Sequence, residues 1–199
     1  MHLAAFSALL NRYGPLPAHD VEAAFGACTV LPLHPAQILA EQGGADPFEY
    51  FVLEGVVREG GFTPDGEETT TSLYIGPALV LPHFCRIEHG RALLSLQALT
   101  EGWVARIPEA VFTEMRSNGA LRPFAVGAIQ HLLRDAMRRV VHHATLSGKD
   151  RLLKFRESHP NLENLIPHTY IAQFLGLTPV SLSRIRGQLH EEQREALRS

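Results

Sequence analysis

The sequence predicts an α+β chain: an N-terminal β-roll or jelly roll, one long dimerisation helix, and a C-terminal helix-turn-helix unit without a full wing. Three observations carry this reading. Residues 27–107 break into many short β-like runs punctuated by Gly and Pro. At Pro108 the apolar spacing changes to threes and fours. Near the end, HTYIAQFLGLTPVSLSRIR (168–186) has the pattern of two short helices around one tight turn.

Residues 1–26 place Ala, Leu and Val on one helical face, with a break at Pro15-Leu16-Pro17. The β-like runs follow as ACTVLPL, QILAE, EYFVLEG, VVREGGF, ETTTSLYI, ALLSLQAL and WVARI. Between two of them, TPDGE (63–67) reads as a hairpin, because Asp65-Gly66 tolerates positive φ. PEAVFTEM (108–115) is expected to be a short helix with Pro108 at its first position, ended by Ser117, Asn118 and Gly119. A long helix should then run over about 121–146. Its stripe includes Phe124, Ile129, Leu132, Leu133, Ala136, Met137, Val140, Val141 and Ala144, while Arg134, Asp135, Arg138 and Arg139 lie off it. At ~1.5 Å per residue such a helix outruns one face of a small roll. A second copy is the better cover for so sustained a stripe, and Ser147-Gly148 marks a hinge after it.

In the two-helix unit, Ala172 sits where the helices must cross closely, and Gly176 sits where the turn needs a left-handed backbone. Thr178 is a good N-cap and Pro179 fits the first helical position. Leu182, Ile185 and Leu189 share the inward face of the second helix. Val180, Ser181, Arg184 and Gln188 face outward, where a recognition helix meets base edges. Arg184 can pair in two places with guanine. Between Lys149 and Leu189 six basic residues, Arg186 among them, face three acidic ones. That segment carries +3 in a chain of net charge −3, so any phosphate-binding surface is local.

Composition removes other classes. With 45 % hydrophobic and 20 % charged residues the chain is globular material. No apolar run reaches ~20 residues, so no membrane span is expected. The opening MHLAAFSALLNRYG lacks a basic leader and reads as an amphipathic helix. Two cysteines, Cys28 and Cys85, suit a reduced, cytoplasmic chain. The chain carries no Walker loop, nucleophile elbow, HExxH or CxxC, so catalysis is not expected.

The order of roll, long helix and helix-turn-helix resembles the Crp/Fnr transcription regulators. The likeness spans nearly the whole chain. It is strongest in RLLKFRESHPNLENLIPHTYIAQFLGLTPVSLSRIR (151–186) and moderate in EYFVLEGVV (49–57). The resemblance implies a cyclic-nucleotide-binding-like effector domain (1–119), a long dimerisation helix (120–147) and a DNA-binding domain (148–199). It also implies a homodimer on a two-fold symmetric duplex site, with RNA polymerase as a further partner. Thr178, Val180, Ser181, Arg184, Arg186 and Gln188 would contact DNA.

Departures from the family pattern fall in GPALVLPHFCRIEHGRALL (76–94). Family members that bind cyclic nucleotides carry Gly-Glu for the ribose and Arg-Ser or Arg-Thr for the phosphate. Here Val80-Leu81 replaces the first pair, and Arg91, followed by Ala92, stands at the second. An apolar pair accepts no ribose hydrogen bond, so neither cyclic AMP nor cyclic GMP is expected. Arg91 is the one candidate ligand contact, with a surface or sheet-pairing role as its alternative. Two cysteines do not supply the four ligands of an iron–sulfur cluster. Haem stays open through His83, Cys85, His34 and His89. No metal is expected, because His142 and His143 are adjacent and face different ways on a helix. Pro179 and Val180 replace the family's base-reading Arg-Glu, so no target sequence carries over. HEEQREALRS continues as polar helix in place of a wing. The alternative function is a degenerate ligand-binding or protein-interaction module of the same fold that no longer binds DNA.

Overall fold

The computed structural model describes residues 1–117 and 119–196. Asn118, part of the predicted break, lies outside the described residues, as do 197–199. Two helices open the chain, α1 (His2–Tyr13) and α2 (Ala18–Gly26), on either side of Pro15-Leu16-Pro17. The strands are β1 (Thr29–Leu33), β2 (Ile38–Ala40), β3 (Phe48–Glu54), β4 (Val56–Phe62), β5 (Glu68–Ile75), β6 (Ala78–Leu79), β7 (Ile87–Glu88), β8 (Arg91–Ala92), β9 (Ser95–Ala98) and β10 (Gly102–Pro108). The helix α3 (His83–Arg86) interrupts them, and α4 (Glu109–Ser117) follows. The seven predicted runs each hold a strand. The two-residue strands and α3 carry too few residues to show a period.

Among the described residues the strands form two four-stranded antiparallel sheets, ordered β1-β10-β3-β6 and β2-β9-β4-β5, with β7-β8 as a small ribbon. The predicted hairpin joins β4 to β5, with the Gly66 amide donating to the Thr63 carbonyl at 2.9 Å. β3 is buried on both faces. Tyr50 and Val52 point between the sheets, while Phe51 and Leu53 meet the helices. That follows from the two-residue period of a strand with a sheet on one side and helices on the other. Pro108 was expected inside the next helix. It instead ends β10, opposite Phe48, and α4 starts at Glu109. A strand end tolerates a residue with no N–H.

The long helix α5 spans Arg122–Thr145, about 36 Å. Its first turns are buried. Phe124, Ala125 and Ala128 share a core with Phe6, Leu9 and Leu10 of α1. The contact is tight enough to need glycine, because a Cβ on Gly127 would overlap the Tyr13 carbonyl oxygen. In an open helix Gly→Ala stabilises by about 1 kcal/mol. Here overpacking costs about 1–3 kcal/mol and the obstructing atom is backbone. Gly127→Ala is therefore expected to lower the denaturation midpoint, read by chemical unfolding. Further along, the stripe is bare: Leu133, Met137 and Val140 are 54–62 % exposed. The predicted stripe is thus two surfaces, a covered start and an uncovered remainder.

Beyond α5 come α6 (Gly148–Ser158), α7 (Leu162–Leu165), α8 (His168–Phe174) and α9 (Pro179–Ala196). Ser147 caps α6, its hydroxyl oxygen accepting from the Asp150 amide at 3.2 Å. Leu152, Phe155, Ile171, Ala172, Leu182 and Ile185 form the core of this part. That core continues into the roll through Val56, Leu73, Ile75 and Leu99. No helix of the described residues is long and apolar enough to cross a membrane.

Candidate nucleic-acid interface

The turn between α8 and α9 is a Schellman motif. Gly176 has φ 63°, its amide donates to the Gln173 carbonyl at 3.0 Å, and the Leu177 amide donates to the Ala172 carbonyl at 2.8 Å. Only this left-handed residue lets both carbonyls be satisfied while the chain reverses. Ala172 is fully buried at the crossing. Thr178 Oγ1 accepts from the Ser181 amide at 3.1 Å and meets the Ser181 hydroxyl at 2.9 Å, which fixes the start of α9. Leu182, Ile185 and Leu189 are buried, as their spacing requires.

The opposite face of α9 is open. Val180 is 79 % exposed, and Arg184 and Gln188 are exposed one and two turns later. Ser181 is half-buried and held by its cap. The structure thus brings Val180, Arg184 and Gln188 onto one accessible surface. Arg186 is placed differently. Its Nε lies 3.2 Å from Glu163 Oε1 and its Nη1 lies 2.8 Å from His168 Nδ1. Arg156 also pairs with Glu163. This group ties α9 to α7 and α8, and Lys149 Nζ ties α9 to α6 through Glu192 at 2.6 Å.

Sequence reasoning missed the contact that seats this unit on the roll. Arg58 of β4 lies 4.0 Å from the centre of the Tyr170 ring, within cation–π range. Its other contacts are Gln97 at 2.7 Å, Thr70 at 3.3 Å and Glu68. The Thr70 hydroxyl then donates to Gln173 Oε1 at 2.7 Å. The pairs that join the two parts, Arg58–Tyr170 and Thr70–Gln173, lie 112 and 103 positions apart, so no local spacing signals them.

In the 76–94 segment, Val80 is fully buried among Val52, Val57, Leu96 and Val104, where it fills core. Arg91 is exposed, and its Nη1 donates to the Gly43 carbonyl at 2.7 Å. The buried arginine is Arg86, which the sequence did not single out. It pairs with buried Asp46, donates from Nε to Leu81 O at 2.6 Å, and donates from Nη2 to Phe48 O at 2.8 Å. Glu49 Oε2 is 4.0 Å from Nη2 of Arg86, and both Glu49 oxygens accept from the His83 amide at 2.9–3.0 Å. His83 Nε2 is 2.8 Å from the Asp46 carbonyl oxygen. Burial raises the Cys85 thiol, with Glu49 adding to the effect, and pushes the Cys28 thiol up to about 12; neither is an activated thiolate.

Burial also raises Glu49 to about 7, against opposing help from the His83 amide and Arg86. The unfolded chain releases this proton near ~4.3. Between the two values the folded chain holds more protons, so stability falls as pH rises through that window. Glu49→Gln should flatten the slope and leave the variant more stable than the parent above about pH 7. Urea unfolding across the pH range checks this.

No family model matches the sequence, and no curated protein matches it. Solved structures do. The c-di-GMP-responsive global regulator CLP of Xanthomonas campestris superposes with a TM-score of 0.69 at 16 % identity, covering 89 % of this chain and 93 % of its own. FixK2 of Bradyrhizobium japonicum gives 0.68 at 17 %, covering 83 % and 86 %. The catabolite activator protein of Thermus thermophilus gives 0.55 at 21 %, covering 93 % and 88 %. The likeness runs from the roll through α5 into the helix-turn-helix, and the chain has the fold of the Crp/Fnr transcription regulators.

Proposed function

We propose that the chain is a homodimeric, sequence-specific transcription regulator that reads the DNA major groove with α9. The observation that carries this is the surface of Val180, Arg184 and Gln188, held outward on a helix whose start, inner face and flank are all fixed. A packing module has no need of a rigid helix with its polar face left open. The bare stripe of α5 supports pairing of two copies, which would present two such helices to half-sites about 34 Å apart. The solved neighbours include proteins called a global regulator and a catabolite activator, which agrees with this reading. RNA polymerase is then the natural further partner and the cytoplasm the natural location.

Thr178 and Ser181 would set the phosphate register, Val180 would touch a thymine methyl, and Arg184 would read guanine. Arg186 would act by orienting α9 through Glu163.

The test is selection from a random duplex pool by the purified full-length protein at modest salt. A two-fold symmetric site is expected. Arg184→Ala should weaken binding to it by about 1–3 kcal/mol per half-site and relax one base position. Affinity should fall steeply with salt in both proteins. No enriched site, or full affinity without Arg184, would overturn the assignment.

A further inference from the structure

The helix α5 has two unlike sides. Phe124, Ala125 and Ala128 are buried against α1 and the roll, and Leu132 packs on the same core. On the other side Val126, Gln130, Leu133, Met137, Val140 and Ala144 are all exposed. Their spacing alternates four and three without a break, a seven-residue repeat over about 27 Å of helix. Leu132 and Ala136, which belong to the sequence stripe, are half-buried and stand outside this repeat.

The repeat says what covers the face. An α-helix has about 3.6 residues per turn, so a strict seven-residue repeat stays on one partner only if two helices wind around each other to the left. The occupant is therefore another helix. None of the six positions is charged, so neither an acidic nor a basic partner would find a counter-charge in the seam. A second copy fits. In a parallel pair Ile129 of one copy lies beside Arg134 of the other, and Ala136 beside Val141, so no like charges meet along the flanks.

Gln130 is the exception within the seam, the one polar side chain among six. It makes no hydrogen bond among the described residues. Burying a polar group without a partner costs about 1–3 kcal/mol. A carboxamide both donates and accepts, so it can pair with an identical group. Parallel, in-register pairing brings Gln130 to Gln130 across a two-fold axis that runs along the helices. An antiparallel pair sets alternate layers against each other, so Gln130 would meet Val126, Leu133 or Val140. A slip by one heptad sets one copy's amide against Met137. None of these side chains can answer it.

We propose that two α5 helices pair in parallel and in register, and that a Gln130–Gln130 hydrogen bond across the axis is what fixes that register. The cost of the buried amide pair is small when it is satisfied and large in every other arrangement, which is how one polar layer selects a single pairing. This reading rests on the homodimer proposed above and adds what sets its orientation. Parallel helices carry both helix-turn-helix units at the same end of the pair, as a two-fold duplex site requires. Antiparallel helices would send them to opposite ends.

The experiment is sedimentation of the full-length protein with Gln130→Glu, with Gln130→Lys, and with the two mixed in equal amounts. Gln130 is exposed in the single chain, so these changes spare the fold, and thermal melts check that. Each charged variant should dimerise at least tenfold more weakly than the parent, because like charges meet at the axis. The mixture should recover dimer, because opposite charges then meet at the same place. A second measurement places Met137→Cys in a Cys85→Ser background, which removes the exposed native thiol. Oxidised glutathione should link this variant into covalent dimers, since in register Met137 also meets itself. Adding Gln130→Leu should keep the sedimenting mass and lower the linked yield at least twofold. A dimer unaffected by either charge, or a mixture that stays monomeric, overturns the assignment of Gln130. So does an equal linked yield with Gln130→Leu. A parent that is monomeric at millimolar concentration strikes the homodimer itself, whereas a dimeric parent with any of the former results strikes the register alone.

Discussion

Arg86→Met will destabilise the chain by about 3–5 kcal/mol, the cost of leaving a buried charge without its partner. Asp46 is 4 % exposed and pairs with Arg86. It also accepts from the Tyr50 hydroxyl at 3.0 Å and from the Phe48 amide at 3.4 Å. Those neutral donors do not balance a full charge. Arg86 also satisfies the carbonyls of Leu81 and Phe48, so its loss orphans one acceptor in the 76–94 segment and one at the start of β3. Met retains most of the apolar volume, which keeps a cavity term out of the result. Adding Asp46→Asn removes the orphaned charge while keeping an acceptor for Tyr50. The double variant should recover at least half of the loss in urea unfolding. Equal stability of the single and double variants would mean that the pair carries no charge coupling.

Leu133→Glu with Met137→Glu should turn the proposed dimer of 22.0 kDa chains into monomers without unfolding them. Both side chains are more than half exposed in the single chain, so two carboxylates there cost the fold little. In a helix pair the same positions face their own symmetry mates, and four carboxylates would crowd one apolar seam. Sedimentation checks the mass. Affinity for a two-fold DNA site should fall about 10²–10⁴-fold, because each unit then binds its half-site alone. A variant that sediments as a dimer would place the seam somewhere other than α5.

What the sequence determined by itself was local. The helix-turn-helix was legible because its signals lie within a few residues: Gly176 for the left-handed turn, Thr178 for the cap, and Leu182, Ile185 and Leu189 at helical spacing. The strands of the roll were legible as short β-like runs set off by Gly and Pro, and α5 from its stripe. What the tertiary structure decided were the meetings of distant residues. Asp46 with Arg86, Arg58 with Tyr170, and Thr70 with Gln173 pair across 40 to 112 positions, and no period or cap announces such a pair. The same holds for Arg186, a DNA contact by resemblance, which the fold turns onto Glu163. It holds again beside the end of α5, where the fold gathers Arg138, Arg139, Arg151 and Lys154 from two helices around Phe174, Leu73 and Leu175. Local preferences act through neighbouring backbone and side chains, so a sequence displays them. Burial and charge balance depend on which surfaces finally meet, and only the folded chain fixes that.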